Sequence, residues 1–455
     1  MKPASNPIDP EWAWAPYEPA GPDDWSLAHV AHFHRRAGFG ANWQTLQESL
    51  PLSPVTLATQ AVAQVESTSV ESSSQALVSS ILAAGGLNQL PAWWIHRLLE
   101  GSATLREKMT IFWHGHFATS GAKVRDPQLL LRQNRLLREH ALGDFRLMVH
   151  EVAKDPAMLM YLDSDSNRKV HPNENFAREL MELFTLGEGR YTEQDIRELA
   201  RCFTGWEVRR NEYRFNPYQH DDGTKRVFDQ RGPFGGEEGV DIVLERDDCP
   251  RFITSKLVRY FVADEGLSGD DLIEPLTIEF RENGLHIAPI VQRILSSNLF
   301  YSEHARARKF RSPIEFAVGF LRTLDGSTNL IAFSNSLKDL GQLLFFPPNV
   351  KGWNGGREWI NSSTLLARAN MMHELLSRSE TRFGGGALLE YCESNGWHES
   401  GEMIERLSTL LLALPLNSEA AAELTQLLES GTGDPEKRLR RALALFVSLP
   451  VYQLA

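Results

Sequence analysis

The segment between residues 161 and 206 constrains the fold more than any other part of the sequence, because it places a polar stretch between two helical patterns. Apolar residues recur at helical spacing from Phe176 to Phe184, and Gly187 follows as a stop. A second helix is indicated by Thr192, with Asp195 at the capping-box position. Two short helices joined by so short a turn predict an αα-hairpin.

Similar capping and periodicity signals recur along the chain, for example Ser312 followed by Pro313. Two segments, 207–245 and 345–361, are rich in Gly, Pro and aromatic residues and predict long loops, the first with a short hairpin or two. The Ser/Thr-rich run 65–75 also reads as a loop. We therefore predict a mainly α protein, a large irregular helical bundle of helical hairpins with at most one or two short β-hairpins.

The chain divides by composition into three predicted regions. Residues 1–24 are rich in Pro and Trp and predict an extended N-terminal arm. Residues 25–380 predict the main helical domain. Residues 381–455 predict a small helical C-terminal extension packed on it.

Composition excludes several classes of protein. The net charge of -12 argues against binding nucleic acid. No apolar run reaches the roughly 18 residues of a membrane-spanning helix. Three distant cysteines indicate neither a zinc ribbon nor a disulfide framework. The N-terminus lacks an apolar signal region, so the sequence as it stands predicts a cytoplasmic protein.

The polar loop before the hairpin has the ligand spacing of a calcium-binding loop. Asp163, Asp165 and Asn167 occupy alternate positions, and Glu174 falls at the twelfth place. Arg168 stands at the sixth place, where such loops need glycine to reach positive φ. The alternative is a loop whose Asx side chains cap their own turns.

Two acidic residues of the first hairpin helix, Glu179 and Glu182, lie one turn apart. In one interpretation, Glu174, Arg178 and Glu182 form a solvated ladder of ion pairs. In the other, Glu179 and Glu182 point into a pocket as metal ligands or as a general acid and base.

Imidazoles occur at two further places. His114 and His116 flank Gly115, and because residues i and i+2 of a helix diverge by about 200°, they share one metal only if the helix ends by Gly115. His220 and Asp221 precede Lys225 in a group that suits metal binding or proton transfer, or forms an ordinary Asp-Gly turn.

The amphipathic helix predicted within 250–265 has a basic edge formed by Arg251, Lys256 and Arg259. Opposite charges attract, so we expect this edge to lie near the acidic hairpin.

Several motifs together resemble one bacterial family, catalogued as domain of unknown function 1800. They are RRAGFG, FWHGHF, NRLLREHALGDFR, DPAMLMYLD, PNENFARELMELFTLG, YTEQDIRELARCFTGW, HDDGTK, PPNVKGWNGG, WINSSTLLAR and SLPVYQ. The resemblance runs from about residue 28 to the C-terminus. It places these residues in family motifs: His116, Asn173, Glu174, Asn175, Arg178, Glu179, Glu182, Gly205, Trp206, His220, Asp221 and Trp353.

The resemblance implies a shared pocket, since polar motifs on separate segments then belong to one site. Members of this family are often exported, and the absence of a signal here departs from that pattern. They are often encoded beside a second family related to sulfatases, which makes a protein of that kind the expected partner.

The motifs lead to three functional hypotheses. The first is a metal-assisted enzyme, hydrolytic or oxidative, which uses a divalent ion and no nucleotide or flavin, since no such motif occurs. Its predicted catalytic residues are Glu179, Glu182, His220 and Asp221, its metal ligands His114, His116, Glu179 and His220, and its binding residues Asn173, Asn175, Arg178, Trp206, Lys225 and Trp353.

The alternatives assign the same residues to other tasks. In a non-catalytic scaffold or assembly partner, they form a buried polar network that fixes the long loops. In a glycan-binding protein, the loops around Trp206, Trp353 and Trp359 hold the ligand.

Overall fold

Helices account for most of the described chain. The structure, a computed structural model, describes residues 8–21, 24–265, 267, 269–430 and 433–455. In those residues, 25 α-helices are joined by loops and only three small two-stranded sheets. The prediction of a mainly α fold with at most two short hairpins is confirmed, and the third sheet pairs distant segments rather than forming a hairpin.

The first eleven helices carry the N-terminal third of the chain. They are α1 Pro10–Trp14, α2 Leu27–Ala37, α3 Trp43–Ser49, α4 Pro54–Ala63, α5 Thr68–Ala83, α6 Leu90–Glu100, α7 Thr104–His116, α8 Gly121–Val124, α9 Pro127–Glu139, α10 Phe145–Lys154 and α11 Pro156–Tyr161. Many begin at a side-chain cap, as α9 does at Asp126 and α11 at Asp155.

The central hairpin follows, and its first helix changes type midway. Its elements are α12 Asn175–Glu179, a π-helix Leu180–Thr185 and α13 Glu193–Cys202. The predicted capping box is confirmed, since Thr192 and Asp195 each accept from the other's backbone amide. Strands β1 Trp206–Arg209 and β2 Glu212–Phe215 then pair antiparallel, as do β3 Lys225–Val227 and β4 Gln230–Gly232.

The remaining elements complete the bundle. They are α14 Gly236–Leu244, α15 Asp248–Phe261, α16 Asp270–Glu282, α17 Ile287–Ser296, α18 Asn298–Tyr301, α19 Pro313–Thr323, β5 Gly326–Ser327, α20 Leu330–Asp339, α21 Ser362–Ser377, β6 Arg382–Phe383, α22 Leu388–Ser394, α23 Ser400–Leu412, α24 Ser418–Glu429 and α25 Pro435–Ser448. Short 3₁₀ turns lie at Leu87–Gln89, Ser164–Ser166, Pro217–Gln219, Gly356–Trp359 and Pro450–Gln453.

Two apolar cores meet at α7. One core draws on α9 to α18 and the central hairpin, and the other joins α2, α6 and α19 to the C-terminal helices. Met109 and Trp113 of α7 belong to the first core, whereas Ile111 belongs to the second. The C-terminal end of α7 therefore lies where loops from both halves of the chain converge.

Two local predictions are wrong. Most of the Ser/Thr-rich run 65–75 belongs to α5, which begins at Thr68 with Ser67 as its cap, and buried Ser74 accepts from the indole of Trp93. Part of the predicted long loop 207–245 is helix α14. Within the predicted extended arm, Asp9 caps α1, and residues 1–7 and 22–23 of that arm lie outside the described residues.

Candidate functional site

A loop and a helix end meet closely at the predicted FWHGHF and KGWNGG motifs. Gly352 has φ +72°, and a Cβ there would overlap the carbonyl oxygen of Gly115 in the last turn of α7. Only glycine allows this approach of two backbones. Trp353 next to it places its ring 5.6 Å from that of His114, between centroids, and donates its indole N–H to the carbonyl of Gly341.

The two imidazoles of α7 have different partners, because α7 continues through His116. Buried His114 accepts the backbone N–H of Phe345 at its Nε2, 3.1 Å away. Burial lowers the pKa of His114 to about 4. His114 therefore fixes the loop that leads to Trp353 and does not join His116 at one ion.

Buried His116 bonds through both ring nitrogens. Its Nε2 lies 2.9 Å from the carbonyl oxygen of Phe184, and its Nδ1 lies 2.9 Å from Nζ of Lys256. A carbonyl only accepts, so Nε2 carries the hydrogen and Nδ1 accepts from the lysine. Burial and the charge of Lys256 hold the pKa of His116 well below its usual value.

Lys256 of α15 connects three motif segments. Besides His116 it donates to the carbonyl oxygen of Leu183, 3.3 Å away in the π-helix, and its Nζ lies 4.6 Å from the centroid of the Phe252 ring. The prediction that the basic edge of this helix lies near the hairpin is thus confirmed for Lys256, whereas Arg251 pairs with Glu274. Burial, and then the charge of Arg259, lower the pKa of Lys256 to about 8.

The π-helix makes the carbonyl oxygens of Leu183 and Phe184 available to Lys256 and His116. In an α-helix, the amide of Gly187 would bond to the carbonyl of Leu183. Here the amides of Leu186 and Gly187 both bond to Met181 instead. The carbonyls of Leu183 and Phe184 are therefore left for Lys256 and His116, and π-helical turns of this kind often occur at functional sites.

A cleft of about 310 Å³ opens beside this group and is lined by side chains of two kinds. The aromatic residues are Phe112, Tyr260, Phe310, Trp353 and Trp359, and the charged residues are Lys256, Arg259, Lys309, Lys351, Asp264 and Glu315. A volume of this size suits a small molecule.

The two acids of the cleft are neutralised by neighbouring lysines. Asp264 lies 2.9 Å from Nζ of Lys309, and Glu315 pairs with buried Lys108. Of the other cations, Lys351 on the exposed rim reaches Glu188 at 3.3 Å. In the part of the chain that the structure describes, no carboxylate pairs with Lys256, and the cleft keeps an excess of positive charge.

The acidic pair of the hairpin lies outside this cleft. Glu179 and Glu182 are both half-buried, and Glu182 accepts from the hydroxyl of Tyr191 at 2.7 Å. Burial, and then the charge of Glu182, raise the pKa of Glu179, while Lys351 opposes the shift. The predicted ladder is present only in part, because Arg178 pairs with Glu174 and with Glu193.

The predicted group around His220 is a separate buried network. Nδ1 of His220 donates to the carbonyl of Thr204, 2.8 Å away. Asp221 pairs with Arg201 at 2.7 Å, and this hydrogen bond lowers the pKa of Asp221. Lys225 is fully buried and donates to the carbonyls of Asp221 and Phe234. These contacts connect α13 to the hairpin segment, and they do not bring His220 to His116.

Three of the four residues with calcium-loop spacing, all but Asp165, have partners for their side chains within the part of the protein that the structure describes. Asp163 pairs with Lys123 at 2.8 Å, and Glu174 pairs with Arg178. The side chain of Asn167 is buried, where it donates to Ala200 and accepts from the amide of Asn173. Asn173 in turn accepts from the amide of Asn175, so the polar side chains mainly hold the loop itself.

Trp206 is buried rather than ligand-facing. Its ring packs on Phe203 and Tyr213 and lies against the backbone of Gly236, where a Cβ would overlap it. Of the three tryptophans predicted around a glycan site, Trp353 and Trp359 line the cleft.

Sequence reasoning did not identify several residues of the cleft, among them Tyr260, Asp264 and Glu315. No motif spacing links them, because they come from α15, a loop and α19. Among the described residues, no group of three or more His, Cys, Asp and Glu side chains is placed to hold a metal ion, so the metal-site hypothesis gains no support and stays a prediction. None of the described helices combines the length and apolar character needed to cross a membrane.

Comparison with known proteins gives one match. The sequence model of the family described as "Protein of unknown function (DUF1800)" matches residues 32–454, nearly the whole chain. No curated protein matches, and no solved structure does.

Proposed function

Since the chain belongs to the family described as protein of unknown function (DUF1800), no activity follows from membership, and we propose a function from the cleft. The cleft at the end of α7 binds a small anionic organic molecule that presents a ring or apolar face. Acidic saccharides are one such class. The observation that carries this proposal is a partly buried lysine, Lys256, which lines the cleft with two tryptophans and has no carboxylate partner among the described residues.

Electrostatics favours an anion in this position. Burying a cation without a counter-ion costs free energy, and the lowered pKa of Lys256 reflects this cost. Arg259 stands three residues later on the same helix, so both cations face one side. A carboxylate or sulfate placed between them would restore the favourable charge balance that the cleft lacks.

The aromatic side chains favour a ligand with a flat apolar face. Trp353 and Trp359 approach the cleft from one irregular segment, and Phe112 and Tyr260 come from α7 and α15. Such side chains offer large contact areas at low entropic cost, and their polar atoms fix orientation. This arrangement supports the glycan-binding hypothesis in a narrower, anionic form.

Replacing Lys256 with methionine is expected to weaken binding of acidic sugars at least tenfold, or about 1.4 kcal/mol. We suggest calorimetry and tryptophan fluorescence with glucuronate, galacturonate and N-acetylneuraminate, and with glucose as the neutral control. The matched variant Lys338→Met removes a charge from the exposed face of α20 and should leave affinity unchanged. Equal binding of glucose and glucuronate, or unchanged affinity in Lys256→Met, would show the proposal to be wrong.

The network around His220 supports the structural role of the scaffold hypothesis for those residues. Lys225 donates to two backbone carbonyls from a fully buried position. Lys225→Met is expected to lower the free energy of unfolding by about 2–3 kcal/mol, because the carbonyls lose their donor. Urea denaturation measures this loss. Ligand affinity at the α7 cleft should stay unchanged, and a fall in affinity with unchanged stability would contradict the assignment.

A further inference from the structure

We propose that Lys256 is a nucleophile that forms an imine with the carbonyl carbon of an anionic aldehyde or keto compound, an inference that rests on the proposed function because the same cleft admits the ligand. Its basis is the arrangement of acceptors around Nζ of Lys256. The ligand class that fits best is a 2-oxo acid or an acidic sugar in its open-chain form.

Two acceptors fix the orientation of the amine. Nζ of Lys256 donates to Nδ1 of His116 at 2.9 Å and to the carbonyl of Leu183 at 3.3 Å. A neutral amine keeps two N–H groups, and both remain engaged by these acceptors. Its lone pair then occupies the remaining tetrahedral position, directed away from both acceptors and available in the cleft that Lys256 lines.

Both acceptors, Nδ1 of His116 and the carbonyl oxygen of Leu183, are committed to accepting a hydrogen bond from Lys256. His116 gives its Nε2 hydrogen to Phe184, so its Nδ1 must accept. The carbonyl of Leu183 lacks its helical amide because the π-helix directs the amide of Gly187 to Met181. The π-helix and the end of α7 thus position the amine, and His116 is a positioning residue.

The amine is present in its reactive form near neutral pH. Burial and Arg259 lower the pKa of Lys256 to about 8, so about half of the molecules carry a neutral amine at that pH. Arg259 lies one helical turn away, at a spacing that suits a carboxylate next to the carbonyl group. This spacing points to 2-oxo acids.

The covalent step balances without an oxidant or a reductant. The nitrogen lone pair attacks the carbonyl carbon, a C–N bond forms, and the C=O π electrons move to oxygen. One proton from nitrogen and one from solvent join that oxygen, which leaves as water. The product is a protonated imine, whose remaining N–H continues to donate to Nδ1 of His116 and whose charge the ligand's carboxylate balances.

The test is reductive trapping of the full-length protein with pyruvate and glyoxylate as probes. Sodium borohydride should convert the imine to a stable secondary amine, and peptide mapping by mass spectrometry should locate it on Lys256. Trapping should rise with pH through about 8, following deprotonation of the amine. Denatured protein is the control, and there all lysines should react alike.

Two variants separate this inference from the proposed function. Lys256→Arg keeps the positive charge, so it should bind the probes in calorimetry and yield no trapped adduct. His116→Gln removes the imidazole that orients the amine, so it should lower the yield of trapped adduct while calorimetry shows retained binding and circular dichroism confirms folding. Binding without an adduct on Lys256 would overturn the inference and leave the proposed function standing. Adducts spread evenly over exposed lysines such as Lys338 would also overturn it. Absence of binding of pyruvate and glyoxylate in calorimetry would overturn the inference alone, because binding of the acidic sugars decides the proposed function.

Discussion

Replacing Glu107 with alanine is expected to lower the free energy of unfolding by about 3–5 kcal/mol, because it leaves buried arginine charge unpaired. Glu107 of α7 is 2% exposed. It lies 3.1 Å from Nε of Arg97 and 2.6 Å from Nε of Arg138, and it also accepts from the indole of Trp94 at 2.9 Å. One carboxylate therefore holds α6, α7 and α9 together.

The charged state of Glu107 follows from its partners. Burial raises the pKa of its carboxyl, but Arg138 and Arg97 outweigh burial and the pKa lies below its usual value. Without the carboxylate, Arg97 keeps the hydroxyl of Ser74 and the carboxylate of Glu71, which is largely exposed. The effect should also reach the cleft, because the Trp94 ring packs on His114, which anchors the loop to Trp353.

Urea denaturation at pH 7.5 measures the effect of Glu107→Ala. A matched control is Glu212→Ala, which breaks an exposed pair with Arg132 and should cost less than about 1 kcal/mol. The neutral variant Glu107→Gln retains the volume and loses the charge, so it should be nearly as unstable as the alanine variant. Similar stability of the Glu107 and Glu212 variants would contradict the argument.

Helices whose signals are local could be predicted from the sequence. Thr192 and Asp195 form the expected box, and Ser312 caps α19 with Pro313 at its first position. These contacts join residues three apart, so the sequence alone contains the information. Gly187 and Gly205 also take the positive φ expected at the ends of the two hairpin helices.

Elements that depend on distant contacts could not be predicted. The polar run of α5 is helical because it packs on α6, where Ser74 receives the Trp93 indole. The glycines before Val240 indicated a loop, yet Gly236 and Gly239 lie in α14, where the rings and chains of Trp206 and Leu199 leave no room for a Cβ. In both cases the deciding partner is remote in sequence.

The same distinction between local signals and distant contacts applies to the candidate site. The sequence identified the segments that meet, including the α7 motif, the hairpin and the KGW loop. The sequence did not identify which residues of these segments contact one another. Lys256 lies 140 residues from His116, and the carbonyl oxygens of Leu183 and Phe184 that they contact are available only because this turn is a π-helix. The metal hypothesis assumed that His116, Glu179 and His220 converge. Instead, the hydrogen bonds of His116 and His220 belong to separate networks, and Glu179 is not among the residues that line the cleft with His116.

Acidification from pH 6.5 toward pH 4 is expected to unfold the protein, because five imidazoles are held with lowered pKa values. Burial is the main cause in each case, and the pKa falls to about 4 for three of the five and well below its usual value for the other two. The first three are His29, His34 and His114, and the other two are His32 and His116.

The direction in which the free energy of unfolding changes with pH follows from proton linkage. In the unfolded chain each imidazole binds a proton near pH 6.5. In the folded protein His29, His34 and His114 bind it only at about pH 4, and the pKa values of His32 and His116 are also well below their usual value. The unfolded state holds more protons across this window, so the free energy of unfolding falls as pH falls. The contribution of the imidazoles to stability is fully present above pH 6.5. Within the window, each imidazole lowers the free energy of unfolding by about 1.4 kcal/mol for each unit by which the pH falls.

Buried carboxyl groups modify this dependence. Burial raises the pKa of Asp155 to about 7, so its folded form takes up a proton first and offsets roughly one imidazole. Glu107 has a lowered pKa and adds to the loss only below about pH 4.5. His29 is only partly buried and adds little, so the other four imidazoles less Asp155 give roughly 4 kcal/mol per pH unit, which is large beside the roughly 5–15 kcal/mol that stabilises an ordinary domain.

Urea denaturation at intervals from pH 8 to pH 5 tests this dependence. His34→Gln is the matched variant, because glutamine can still donate to the hydroxyl of Ser49, which His34 contacts at 2.8 Å, and it does not titrate. The free energy of unfolding of His34→Gln should depend less steeply on pH, with a slope smaller by one proton, or about 1.4 kcal/mol per pH unit. A profile that stays flat between pH 8 and pH 5 would mean that the folded protein accepts these protons, so α2 and the end of α7 would have to admit water without unfolding.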